Sequence, residues 1–143
     1  MRIKRQGSAL WNGGLKDGRG SITTQSGALS TYPYGFASRF EGTPGTNPEE
    51  LLGAAHAGCF TMALSMMLGE AGYTPTQLNT TAEVTLEKQE SGFAIPSILL
   101  KLKGKVPGID AATFHEIAKK AEANCPVSKL FRAEISLEAE LLT

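Results

Sequence analysis

At 143 residues the chain has the length of one domain, enough to bury roughly two-thirds of the surface its unfolded form would expose. Fourteen basic side chains balance fourteen acidic ones for a net charge of +0, so no long-range field favours nucleic acid or an anionic membrane. Two cysteines are too few for a disulfide scaffold, and the start Met1-Arg2-Ile3-Lys4-Arg5 runs on without the apolar stretch of a signal peptide. A reducing, cytoplasmic setting is therefore expected, where such a thiol pair is more often catalytic or redox-sensing than structural.

Residues 1–40 carry glycine-rich turns (Asn12-Gly13-Gly14, Asp17-Gly18, Ser26-Gly27) between short segments such as Ser8-Ala9-Leu10-Trp11 and Gly20-Ser21-Ile22-Thr23-Thr24. Glycine and asparagine supply the positive φ that tight hairpins need, which predicts an antiparallel meander. A breaker-rich loop from Phe40 follows, and Thr46 or Asn47 then caps a helix with Pro48 in its first turn. Thr46-x-x-Glu49 also fits the capping-box spacing.

That helix is predicted to reach about Tyr73. Its segment 51–68 is apolar on every side, with only His56, Thr61 and Ser65 as polar side chains besides Cys59. A helix of this kind must be buried all round or span a membrane; the glycine-alanine-rich composition, His56 and polar flanks argue against the span. So small a domain has little to cover it with, so a second copy of the chain is expected to help, as an intertwined homodimer.

Downstream, residues 78–88 alternate as a half-buried strand should, with Ala82, Val84 and Leu86 against Glu83, Thr85 and Glu87. Ser91-Gly92 turns the chain into a second strand over 93–106, and the two should pair as a long hairpin. Asp110 begins a helix with Phe114, Ile117, Ala118 and Ala121 on one face, ending before Asn124. A turn over 126–130 leads to a last alternating strand over 133–142. The fold class is α+β: antiparallel sheets wrapped around one long central helix, in a single domain over 1–143.

Cys59 has an ordinary reading as a small core hydrophobe, since a thiol becomes a nucleophile only beside a charge that favours its thiolate. Arg39 is the best candidate cation: it stays charged when partly buried and can hold a carboxylate while presenting another N–H. Its ordinary reading is an exposed charge at a strand end. Glu49 suits the first turn of a helix by its sign alone. Ten residues separate Glu49 from Cys59, ~15 Å along a straight helix and ~80° around it, so the two cannot touch within one. If both serve one site, either the helix breaks near Gly53 or a second chain brings its own Glu49.

Cys125 follows a helix and precedes proline, free of regular structure; its alternative is a helix-end residue beside a turn. Only the fold can bring it within the ~4.4–6.8 Å Cα separation of a disulfide with Cys59. His56 lies one turn before Cys59, which raises a Cys/His hydrolase as a rival, though no third residue or oxyanion hole is evident and a packed core histidine is the plainer reading. No spacing suits a metal, and no glycine loop suits a phosphate.

Taken together, Tyr34-Gly35-Phe36, Arg39-Phe40-Glu41-Gly42, the run from Asn47-Pro48-Glu49-Glu50 through His56-Ala57-Gly58-Cys59-Phe60, Val106-Pro107-Gly108 and Cys125-Pro126-Val127-Ser128 resemble the OsmC/Ohr family in order and spacing, closest to its OsmC branch. The resemblance implies a cofactor-free thiol peroxidase that reduces organic hydroperoxides better than hydrogen peroxide, acting as a homodimer with sites at the subunit interface. By matching positions it implies that Cys59 is the peroxidatic thiol, Cys125 the resolving one and Arg39 with Glu49 the activating pair. A dithiol, by family a lipoyl group, would be the reductant, and Phe60 and Met62 are candidate walls of the substrate pocket. A non-catalytic protein holding a hydrophobic ligand is the alternative of a different class.

Overall fold

The glycine turns of the N-terminal stretch do fold it into antiparallel strands. In the computed structural model, which describes residues 1–131, β1 (Gly7–Asn12) pairs with β2 (Arg19–Thr24) so that Ala9 faces Ile22 and Trp11 faces Gly20. A third strand, β3 (Tyr32–Tyr34), adds to β2. Trp11 and Tyr34 meet edge to face at 5.6 Å between ring centroids, the geometry favoured by the ring quadrupoles. The meander does not extend to residue 40, however. Residues Phe36–Phe40 form a short helix, α1, whose Ser38 hydroxyl accepts the Gly35 N–H at 2.8 Å. A serine that satisfies the backbone at a helix start favours helix over strand.

The long helix α2 runs from Pro48 to Glu70, three residues short of the expected end. Asn47 is its cap, with Oδ1 accepting from the Glu50 N–H at 2.8 Å. Gly72 stops it: at φ +92 the backbone turns left-handed, and the Tyr73 N–H closes on the Leu68 carbonyl at 2.8 Å. No break occurs at Gly53.

Two compact units divide the chain, Met1–Leu52 and a second beginning at Gly53. In the second, β4 (Gln77–Gln89) and β5 (Gly92–Lys105) form the long hairpin that alternation predicts, with Val84 opposite Ile98 and a register shift between Thr85 and Glu87. Helix α3 (Ala111–Asn124) is capped by Asp110, whose Oδ1 accepts from the Thr113 N–H at 2.7 Å. Residues Pro126–Leu130, read as a turn, are a short helix, α4, with proline in its first turn. The strand expected over 133–142 lies outside the described residues.

The core of this unit is Phe60, Leu64 and Leu68 from α2, Ala121 from α3, and Cys125, with Leu78, Leu100, Leu102 and Ile117 packed around them. Burying each large apolar side chain contributes ~1.5–3 kcal/mol. At Gly53 an added Cβ would lie 3.1 Å from the Ala82 carbonyl, so glycine there lets α2 lie directly on β4.

The expectation that α2 is buried all round is not met within one chain. Its Ala54, Ala55, Gly58, Met62, Ser65, Met66 and Gly69 are exposed, and they share a face because they recur every three or four residues. Phe60, offered as a pocket wall, belongs to the core, whereas Met62 on the open face is 77% exposed. By length and composition α2 could cross a membrane, with a mean hydropathy of 1.5 over its apolar window.

Candidate active site

In the first unit, the loop between α1 and α2 is held by hydrogen bonds to its backbone. The Ser38 hydroxyl donates to the Thr46 carbonyl at 3.0 Å, the Thr46 N–H donates to the Pro33 carbonyl at 3.0 Å, and the buried Thr46 hydroxyl donates to Glu50 Oε1 at 2.9 Å. These bonds set the last turn of α1 beside the first turn of α2, so that Arg39 meets Glu49. Nε and Nη2 of Arg39 both donate to Glu49 Oε1, at 3.1 and 2.7 Å. The side chain of Glu49 is 11% exposed and that of Arg39 36%.

An ion pair this accessible contributes little stability. Its effect is orientation: one edge of the guanidinium is committed to the carboxylate, and among the described residues Nη1 has no hydrogen-bond partner. Glu49 therefore does not complete a capping box with Thr46. Arg39 is on a helix rather than at a strand end, and it is held rather than a free surface charge.

In the second unit, Cys59 lies on α2 and Cys125 caps α4, and the core brings the two together across 66 residues of sequence. Both are free thiols, Cys59 packed against the core that holds Cys125, with Cys125 fully buried and Cys59 partly so. Burial pushes the Cys59 thiol up from its ordinary value, and the bond to Cys125 pushes it further; only the Val127 N–H acts against this. Burial also pushes Cys125 up, but its polar neighbours, the Ser128 backbone first, then Cys59, the Ser128 hydroxyl and the Val127 backbone, together outweigh it and bring this thiol below its ordinary value. No cation figures among these influences on Cys59.

His56 does not serve Cys59 as a hydrolase dyad would. Its Nε2 lies 2.8 Å from Ser128 Oγ, and the ring packs edge to face on Phe131 at 5.6 Å. Nδ1 is buried without a partner among the described residues. Burial lowers its basicity, partly offset by the charge of Glu122. Sequence reasoning missed Ser128, although a signal was present: it stands three residues after Cys125 and behind a proline, the spacing of a helix cap and its third residue. Among the described residues no group of three His, Cys, Asp or Glu side chains is arranged to hold a metal.

Comparison with known proteins places the chain as a whole. The model of the OsmC-like protein family matches residues 40–140. The sequence is 58% identical to the peroxiredoxin OsmC of Escherichia coli over 141 residues, 99% of each chain. It is 32% identical over 124 residues to the organic hydroperoxide resistance protein OhrB of Bacillus subtilis, spanning 85% of this chain and 88% of that one. The crystal structure of OhrB superposes with a TM-score of 0.64 at 30% identity, covering 89% of this chain and 90% of the other. With a family model matched over residues 40–140 and a relative 58% identical over 99% of its length, the chain belongs to the OsmC-like family.

Proposed function

We propose that this protein is a cysteine-based peroxidase that reduces organic hydroperoxides to alcohols. That it is an enzyme of the peroxiredoxin kind follows from 58% identity over the full chain to a protein of that name. The observation that carries the cysteine mechanism is the contact between Cys59 and Cys125, two thiols far apart in sequence and joined by the core.

The Cys59 thiolate attacks the distal oxygen of the peroxide. The O–O bond breaks, the alkoxide leaves and takes a proton to become the alcohol, and sulfur becomes sulfenic acid. Cys125 sulfur then displaces hydroxide from that sulfenic acid; an S–S bond forms, the S–O bond breaks, and water leaves. Two electrons are thus drawn from the thiol pair, and a dithiol returns them by exchange, for which a lipoyl group is the candidate.

Cys59 needs a cation, because burial and Cys125 both hold it as thiol, and none acts on it among the described residues of its own unit. Helix α2 is unbroken, so Glu49 stands ~15 Å along the axis from the Cys59 of its own helix. The reading that fits both facts is a homodimer in which Arg39 and Glu49 of one chain serve Cys59 of the other. The open face of α2 supports it. Ala57, Gly58, Thr61, Met62 and Ser65 line a groove of about 610 Å³ against β4, ready for another helix. Arg39 then lowers the thiol pKa and donates to the peroxide as charge moves onto the leaving oxygen. A cytoplasmic site of action goes with this thiol chemistry.

The test is a titration. Reduced protein treated with one equivalent of an organic hydroperoxide should lose both thiols and yield one equivalent of alcohol. Retention of both thiols would leave a ligand-binding protein instead.

A further inference from the structure

We propose that His56 and Ser128 form a proton relay serving Cys125, so that this thiol loses its proton along the chain Cys125 Sγ, Ser128 Oγ, His56 Nε2 as it attacks the Cys59 sulfenic acid. The proposal rests on Cys125 being the resolving thiol.

Three observations carry it. First, the His56–Ser128 contact is short, at 2.8 Å, and joins residues 72 apart in sequence. Second, Ser128 stands three residues beyond Cys125, the N-cap residue of α4, and its hydroxyl is among the groups that lower that thiol's pKa, so one side chain stands between imidazole and thiol. Third, His56 is only 5% exposed and among the described residues its Nδ1 has no partner, a buried unsatisfied group whose cost calls for an explanation beyond packing. A packing role would be met by an apolar side chain of similar size without that cost.

A hydroxyl between an acid and a base can turn either way. With Cys125 as thiol, S–H donates to Ser128 and the serine hydroxyl donates to Nε2. With Cys125 as thiolate, Nε2–H donates to the serine, which donates to sulfur. Passing from the first arrangement to the second moves one proton from Cys125 to His56. When the sulfenic hydroxide is displaced it takes up a proton, and the imidazolium can return one, so water leaves and the ring is neutral again. No oxidant or reductant beyond the sulfenic acid is required.

The surroundings of His56 suit a brief charge. From α3, Glu122 and Lys119 line a cavity of about 320 Å³ with it, and the Glu122 charge favours the imidazolium. From β5 only apolar side chains face it, among them Ile98, Leu100 and Leu102. Among the described residues, Ser128 and the Phe131 ring also touch it. Burial makes the charge temporary, since it disfavours the imidazolium at rest.

The experiment separates the two half-reactions by stopped flow on the full-length protein with an organic hydroperoxide. In Ser128→Ala, consumption of the first equivalent of peroxide should change less than two-fold, while disulfide formation slows at least ten-fold and sulfinic acid accumulates at Cys59 by mass spectrometry. Ser128→Thr should restore resolution, because it keeps the hydroxyl. His56→Gln can still donate to Ser128 but cannot take a proton, so its resolution rate should fall at neutral pH and recover as pH rises toward ordinary thiol ionisation. Wild-type resolution rates in folded Ser128→Ala, or equal slowing of both half-reactions, would overturn the relay. Should Ser128→Ala not fold, a wild-type pH profile of resolution in His56→Gln would do the same. Failure of the underlying thiol reading shows elsewhere, as wild-type protein that keeps both thiols.

Discussion

Arg39 with Glu49 and Cys59 with Cys125 are built by opposite means. The ion pair joins residues ten apart and is fixed by a run of local bonds among Gly35, Ser38, Thr46 and Asn47, with little buried apolar surface. The thiol pair joins residues 66 apart and is fixed by Phe60, Leu64, Leu68 and Ala121, with no ion pair at all among its causes. Charge is thus set by hydrogen-bond geometry in one unit, and sulfur by hydrophobic packing in the other. Each is well formed by itself: a cation held by a carboxylate, and a pair of thiols held by the core.

The sharpest break is at sulfur. Cys59→Ser should lower peroxidase turnover by more than about 10³-fold, since a hydroxyl is scarcely ionised near neutral pH; steady-state assays at wild-type levels would remove it from the reaction. Next comes the sharing of the two halves between chains. Cys59→Ser and Glu49→Ala homodimers should each be nearly inactive, whereas verified heterodimers should regain about half of wild-type activity per dimer, one intact site of two. No recovery would place both halves of a site in one chain.

Stability should separate the regions next. Leu64→Ala, at a fully buried core position, should cost ~2–5 kcal/mol in denaturant unfolding and slow disulfide formation, because the packing that aligns the thiols is loosened. Asn47→Ala removes a cap in the other region and should cost only ~1 kcal/mol. A larger loss at Asn47 than at Leu64 would invert the comparison.

The smallest effect is one of pH. His56 is less basic in the fold than its ordinary 6.5, so below that value the unfolded chain binds more protons. Stability present above pH 6.5 is therefore lost as pH falls toward the folded-state value, by less than about 1.4 kcal/mol per unit. His56→Gln should flatten that slope, and an unchanged slope would mean that other groups produce it.

What the sequence displayed of all this follows the same division. Periodicity exposed the hairpin β4–β5 and α3, because alternation and helical spacing are repeated over a dozen residues. Composition exposed α2 and its need for cover. The helices α1 and α4, five residues each, carry too little periodicity to be read; they are set by a serine, a proline and their neighbours. Glu49 offered two partners on paper, the cap and Arg39, and only the path of the intervening loop decides between them. The bond between His56 and Ser128 was hidden for the same reason: the two are 72 residues apart, while spacing set His56 one turn from Cys59.

One feature of α2 bears on how such a protein ages in use. Met62 and Met66 stand on its open face, 77% and 61% exposed, and thioethers are oxidised by the same peroxides that thiols consume. A sulfoxide oxygen there would turn a greasy seam into a wet one. In the proposed homodimer, chains that separate while oxidant is plentiful would then lose the surface by which they could find each other again, so sulfoxide at these two positions would record past dissociation.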